Sequence, residues 1–213
     1  SLGIRVILFI TIPSALGFIS MRLEIIRLLF ERGEFTAVQT EMTAYALFFY
    51  SLGLFAHGAI QILPRGFYAL KDTITPVKVT ISTVLLSIML NLFFLKFTNL
   101  QHGGLALSFS LMGVANMVIS IFLLRKKVGG IQGGKIVKTS LQSLLAALGM
   151  GIIIRGLLPV WNHVLLGLGL SRNWFNLLQV GGGIAIGGLS YLFFTALMRM
   201  EETKLLKKMV KRK

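Results

Sequence analysis

The sequence predicts an all-α integral membrane protein of six spans, and three observations predict it. Of its 213 residues, 55% are hydrophobic and only 14% charged, with a mean hydropathy of +0.81, outside the range of ordinary water-soluble domains. Six runs stay apolar for about 20 residues, the length a helix rising roughly 1.5 Å per residue needs to cross a hydrocarbon core of about 30 Å. Lysine and arginine gather in alternate connections between those runs, as sidedness in a membrane requires.

The runs are Leu2 to Ser20, Ala37 to Leu63, Pro76 to Leu95, Gly104 to Leu124, Ile136 to Leu158 and Phe175 to Met198. Pro13 removes a rung of the first helix and predicts a kink, as Pro64 does at the end of the second. Between the first two runs, MRLEIIRLLFER is an amphipathic helix expected along the membrane surface. There Glu24 can meet Arg27, and Arg27 can meet Glu31, with Gly33 closing it in a left-handed cap. Thr36 and Gln39 fit a capping box for the second span, and Thr75 fits an N-cap for the third with Pro76 at the first helical position. The stretch RGFYALKDTITPVK, Arg65 to Lys78, then reads as a tight turn between spans two and three, its charges held at the headgroups. The chain starts at Ser1 and is apolar by Leu2, with no charged leader, so it reads as part of something longer.

The formal charge is +15, from 22 basic and 7 acidic residues. In a soluble chain that would raise nucleic acid as a partner. Here Arg5, Arg65, Lys71, Lys78, Arg125, Lys126, Lys127, Lys135, Lys138 and the basic residues of the tail fall on one side of six crossings. Arg22, Arg27, Arg32, Lys96, Arg155 and Arg172 fall on the other. The richer side is expected in the cytoplasm, with the carboxyl terminus, and the charge is topology rather than a nucleic-acid surface. The tail, EETKLLKKMVKRK, suits anionic lipid headgroups. With no cysteine, disulfides and thiolate chemistry are excluded.

Polar side chains within spans mark candidate sites, because facing lipid is costly. Tyr50, His57, Gln61 and Arg65 recur at helical spacing on one face of the second span, and Thr80, Thr83, Ser87 and Asn91 on one face of the third. The bland reading is hydroxyls bonded back to their own helix and amides joining helices. The sharper reading is a hydrated cavity between two adjacent polar stripes. His57 reads first as a satisfied packing residue and second as a ligand or proton carrier. Ser87 and Asn91 offer oxygens to a cation, but no charge. In the fifth span Ser143, Ala147 and Gly151, and in the sixth Gly183 and Gly187, permit close packing or a shallow groove for an acyl or prenyl chain.

The seven acidic residues lie in connections or tails or, for Glu41, in the opening turns of the second run, so no carboxylate pair sits in the membrane for acid–base or metal chemistry. There is no serine-nucleophile motif, metal-ligand histidine pair or phosphate-cradling glycine loop. No enzyme, metal or cofactor is expected.

The segments RLLFERGEFTA (Arg27 to Ala37), TAYALFFYSLGLFAHGAIQILPRGFYALKDTITPVK (Thr43 to Lys78) and HGGLALSFSL (His102 to Leu111) resemble the carboxyl-terminal half of the MurJ (MviN) lipid II flippases, within the multidrug/oligosaccharidyl-lipid/polysaccharide exporter superfamily. The FYALKDTITPVK turn is the most specific part. The resemblance implies a fourteen-helix transporter in the bacterial cytoplasmic membrane, of which these spans are the ninth to fourteenth. Residues 1–125 would supply four helices of the second lobe, 126–198 two additional helices forming a lipid-tail groove, and 199–213 a basic cytoplasmic tail. It implies alternating-access export of undecaprenyl-linked peptidoglycan precursor, with membrane lipids and the amino-terminal lobe as partners. The family's pyrophosphate-pairing arginines, mostly in the amino-terminal lobe and in the helix just before Ser1, have no counterpart in this chain, and the carboxylate of its proposed cation site has none at Ser87 or Asn91. Coupling to a monovalent cation or to the membrane potential therefore stays open. The competing readings are another exporter of the superfamily, for O-antigen or drugs, and a non-transporting membrane scaffold.

Overall fold

A computed structural model describes residues 2–130, 133–169 and 171–203 as eight helices joined by short connections. They are α1 (Leu2–Ser20), α2 (Arg22–Phe30), α3 (Ala37–Ile60), α4 (Leu63–Ala69), α5 (Ile74–Phe97), α6 (His102–Val128), α7 (Gly133–Gly167) and α8 (Arg172–Leu197). Six stretches are long and apolar enough to cross a membrane, with α3 and α4 together making one of them, Ala37–Ala69. The expected all-α architecture of six spans is therefore present. Most of the basic tail, from residue 204 on, lies outside the described residues.

The chain forms two compact units. The first comprises the residues up to Ala15 together with Phe49–Ser140. Its organising element is α6, whose buried face is made of small residues: Gly104, Ala106, Ser108, Ser110, Gly113, Asn116 and Ser120. Apolar side chains gain little from leaving lipid for one another, so contact between membrane helices depends on how closely their backbones approach. That face lets α5 lie along α6, with Phe94 against Gly104, and lets α4 press in where Leu124 fills the space over Gly66. Phe67 and Leu63 of α4 are fully enclosed.

The second unit comprises Leu16–Phe48 and the chain from Leu141 onward. Here α7 and α8 form an antiparallel hairpin, with Ile154 over Gly187, Leu158 near Gly183 and the Trp161 ring over Gly182. Met21 also fills the notch at Gly183. The segment expected on the membrane surface instead continues α1 almost without interruption. Bonds from Met21 N to Gly17 O and from Ile25 N to Met21 O carry the ladder across the junction, and α2 packs along α8 with Ile26 buried. Gly33 adopts the expected left-handed backbone at φ +57°, and Arg27 meets Glu31 at 3.4 Å. Glu24 makes no ion pair among the described residues.

Other boundaries differ from expectation for local reasons. α3 stops at Ile60, because Pro64 has no N–H to return to the Ile60 carbonyl, and the chain passes Gln61 and Ile62 in a turn. Pro64 then opens α4 rather than closing the span, so most of the presumed turn is helical. α5 begins at Ile74, which puts Pro76 at the third helical position, still within the turn whose N–H groups need no intrahelical partner. Its cap comes from Asp72, whose Oδ1 accepts the Thr75 N–H at 3.0 Å, and not from Thr75. Half of the other predicted cap exists: the Thr36 N–H donates to Gln39 Oε1. α7 runs through Pro159 to Gly167, nine residues past the expected end at Leu158.

Candidate functional site

Of the stripe expected on the second span, the fold brings Tyr50 and His57 together and separates Gln61 and Arg65. His57 reaches from α3 to α6, where its Nε2 lies 3.1 Å from the Phe109 carbonyl oxygen and its ring stacks on Phe109 at 4.1 Å. Tyr50 meets the same Phe109 ring edge-on at 5.5 Å and stays 45% exposed. The contact is reciprocal: Ser110 of α6 sits over Gly53 of α3 and donates to the Phe49 carbonyl at 2.6 Å, while His57 sits over Gly113 of α6. His57 thus acts as a hydrogen-bonded packing residue. Gln61 and Arg65 are exposed beyond the helix break and do not continue the α3 face, since helical spacing holds only along an unbroken helix.

On α5, Thr83 is buried and returns its hydroxyl to the Val79 carbonyl at 2.9 Å. It also accepts Asn116 Nδ2 at 3.0 Å, and Ser120 donates to Asn116 Oδ1 at 3.2 Å. This buried chain of three side chains joins α5 to α6. Sequence reasoning missed Asn116 and Ser120; their four-residue spacing, on the face that carries Gly113, was the available signal. Thr80 is exposed, whereas Ser87 and Asn91 are half-buried. Asn91 Oδ1 is covered and has no hydrogen-bond partner.

The stretch from Arg65 to Lys78 is a fastening. α4 ends in a paired cap, with Lys71 N bonding Tyr68 O and Asp72 N bonding Phe67 O, and this places Lys71 in the left-handed region at φ +58°. Asp72 then takes both the Thr75 N–H and the Lys127 ammonium from the end of α6. These bonds, Lys127 foremost, hold the Asp72 carboxyl well below the usual carboxylate range. In the same unit the buried Arg5 donates to Thr139 Oγ1 at 3.1 Å. These contacts gather Arg5, Arg65, Lys71, Lys78, Arg125, Lys126, Lys127, Lys135 and Lys138 at one end of the first unit, with Asp72 as that unit's acidic residue. Lys96 stands at the far end of α5.

In the second unit the carboxylate of Glu31 gathers Thr40 at 2.9 Å, Arg27 and Arg172, tying the end of α2 to the starts of α3 and α8. The Thr40 hydroxyl and then the two guanidinium groups hold its carboxyl below the ordinary range. The small residues of the last two spans serve packing at Ser143 and Ala147, which are fully buried, and at Gly183 and Gly187, which side chains cover; Gly151 faces Ser20. Among the described residues no three His, Cys, Asp or Glu side chains converge to hold a metal ion.

Six membrane-length helices, one strongly basic end and polar contacts spent between helices define a multi-pass α-helical membrane protein. The family model described as "Lipid II flippase MurJ" matches residues 1–175, and the chain belongs to that family. A probable lipid II flippase MurJ of Buchnera aphidicola subsp. Acyrthosiphon pisum (strain APS) is 29% identical over 195 residues, covering 90% of this chain and 36% of that protein. A probable lipid II flippase MurJ of Vibrio cholerae is 37% identical over 117 residues, covering 55% and 22%. Among solved structures, "Lipid II flippase MurJ, inward closed conformation" superposes with a TM-score of 0.67 at 30% identity, over 90% of this chain and 36% of that one. The chain thus spans about a third of the length of the relatives that match most of it. It is a multi-pass bacterial membrane protein of this family.

Proposed function

We propose that this chain is the carboxyl-terminal portion of a lipid II flippase that moves undecaprenyl-linked peptidoglycan precursor across the cytoplasmic membrane by alternating access. The observation that supports it most is the family match over residues 1–175, which includes the fastened turn from Arg65 to Lys78. In this reading residues 1–125 are four helices of the second lobe, 126–198 the two additional helices with a lipid-tail groove, and 199–213 a cytoplasmic tail. The amino-terminal lobe is the partner that completes the transporter. The basic end of the first unit faces the cytoplasm, as the concentration of lysine and arginine there supports. The protein does no covalent chemistry and needs no bound cofactor.

Within the site, Tyr50, Gln61 and Arg65 are the exposed groups that contact the polar headgroup of the substrate, while His57 holds the wall in place. Thr80, Ser87 and Asn91 edge the same lobe. Asn91, with its unpartnered oxygen, is the group to which a monovalent cation would come, and the membrane potential is the alternative driver. Complementation tests the reading: the full-length gene should restore growth to a strain depleted of its lipid II flippase. Arg65→Ala should weaken rescue, and cysteines at 50, 61 and 65 should react with a water-soluble reagent. Failure to rescue despite normal membrane insertion would reject the substrate assignment, and protection of all three positions would reject the site.

A further inference from the structure

Near the start of α8, below the Glu31–Arg172 pair, the second unit holds two amide side chains that take no part in the polar contacts described above. Gln179 is 3% exposed and Asn176, one turn earlier, is 6% exposed. Gln179 Nε2 donates to Asn162 Oδ1 on α7 at 3.0 Å, but Gln179 Oε1 is buried without a partner. Rotating both amides would not cure this, since it trades an unpaired oxygen for an unpaired amino group. The neighbouring Trp161 cannot supply the missing donor because its indole N–H is committed to the Leu178 carbonyl at 3.0 Å. In hydrocarbon such an orphan is costly, so a donor from outside the hairpin must meet it.

The chemistry of that donor follows from what surrounds it. No carboxylate belongs to the cluster, which disfavours a cation, and the nearby Arg172 is engaged by Glu31, which disfavours an anion. A neutral hydroxyl fits both needs: it donates to Gln179 Oε1 and accepts from the remaining N–H groups of Gln179 or Asn176. The position agrees. Asn176 and Gln179 lie four and seven residues into α8, or about 6 and 10 Å along its axis from Arg172. Trp174, 61% exposed, stands at the level where aromatic side chains mark the lipid headgroup zone. Asn162 is half-buried and Arg172, two turns above Gln179 on the same face, is exposed, so the outer end of the cluster is open.

We propose that Asn162, Asn176 and Gln179 form a seat for a hydroxyl group of a lipid headgroup, either the glycerol of a bilayer phospholipid or the sugar of a lipid-linked saccharide. The seat does not depend on the flippase reading. The test uses the full-length protein in a detergent without hydroxyl groups and reads thermal unfolding against added lipid. Phosphatidylglycerol and phosphatidylmethanol share charge and acyl chains but only the first carries glycerol hydroxyls. A second pair is undecaprenyl pyrophosphate with and without its sugar. The hydroxylated member of at least one pair should stabilise at about fivefold lower concentration, the factor one net hydrogen bond supplies, and the pair that differs identifies the source. Gln179→Met should abolish that difference, whereas Ser82→Ala, exposed on α5 in the other unit, should leave it intact. Should Gln179→Met fail to fold, Asn176→Leu takes its place. Equal potency within both pairs for the wild type overturns the proposal, as does a difference that survives the amide substitution.

Discussion

Replacing Gly113 with alanine would place a methyl carbon 2.5 Å from His57 Nε2 and 2.9 Å from two ring carbons, so the imidazole must leave its seat. Its bond to the Phe109 carbonyl and its stack on that ring go with it. Overpacking a tight contact costs about 1–3 kcal/mol, and a lost interhelical hydrogen bond in a membrane roughly 0.6 kcal/mol more. Against this, alanine gains about 1 kcal/mol over glycine in helix propensity. The net expected loss is about 0.6–2.6 kcal/mol. A double-mutant cycle separates the clash from any general effect of the methyl. His57→Ala vacates the space, so adding Gly113→Ala to it should cost nothing further and should recover some helix propensity. The coupling between the two sites should therefore be at least about 1 kcal/mol. Denaturant unfolding of the purified full-length protein in detergent, followed by helical circular dichroism, measures all four corners. Additive losses would show that His57 does not occupy the Gly113 notch, and the reciprocal account of the α3–α6 contact would be wrong.

Three other outcomes follow from the same geometry. Asp72→Asn should lower the thermal midpoint by releasing Lys127. Because the folded carboxyl lies below its ordinary value of 3.8, the wild type's advantage is fully present above that value. It should decline only as acid protonates Asp72, so midpoint against pH should show a constant gap from neutrality down to about pH 5; a gap that grows on acidification would contradict the sign. Lys71→Gly should raise stability by up to about 1 kcal/mol, since glycine meets no Cβ penalty in the left-handed cap at φ +58°, and a loss in the same unfolding assay would mean that the lysine side chain holds the turn. Asn116→Leu breaks the Thr83–Asn116–Ser120 chain and should cost about 1–3 kcal/mol by leaving Thr83 and Ser120 short of partners. Adding Thr83→Val to it should recover part of that loss, and no recovery would mean that the two side chains are not coupled.

What could be read from the sequence and what could not divide along a physical line. A span is a sum over some twenty residues, so hydropathy finds all six even where single positions mislead. Its ends are decided by few contacts. α7 outruns its expected end at Leu158 because Trp161 and Asn162 are held by Leu178 and Gln179 of α8, and those bonds carry the helix past Pro159. Nothing within α7 itself announces this. The stripe on the second span failed in the opposite way: Tyr50 to Arg65 obeys helical spacing in the sequence, but Pro64 frees the chain at Gln61 and the last two members leave the face. Asp72 was legible as a turn residue and illegible as an ion-pair partner, because Lys127 lies 55 residues further on.

The same line explains why the polar residues of the first unit are poor guides to its chemistry when read singly. In a membrane a hydroxyl or an amide lowers its own cost by finding a partner helix, so a polar group in a span marks a contact before it marks a ligand. Thr83, Asn116, Ser110 and His57 have each found one. The groups left to meet something beyond this unit are those the fold has not satisfied: Asn91, half-buried with an unpartnered oxygen, and the exposed Gln61 and Arg65 at the break before and on α4. Of these Arg65 is the most telling. It stands on α4, where the adjacent Leu63 and Phe67 are fully enclosed and the glycine at 66 is closed over by Leu124, so a well-packed helix presents an exposed charge. If Arg65 serves only to anchor that end at the headgroups, Arg65→Lys should complement as well as the wild type, because sidedness counts charge alone. If it pairs with phosphate oxygens through its planar fork, lysine should fail to replace it.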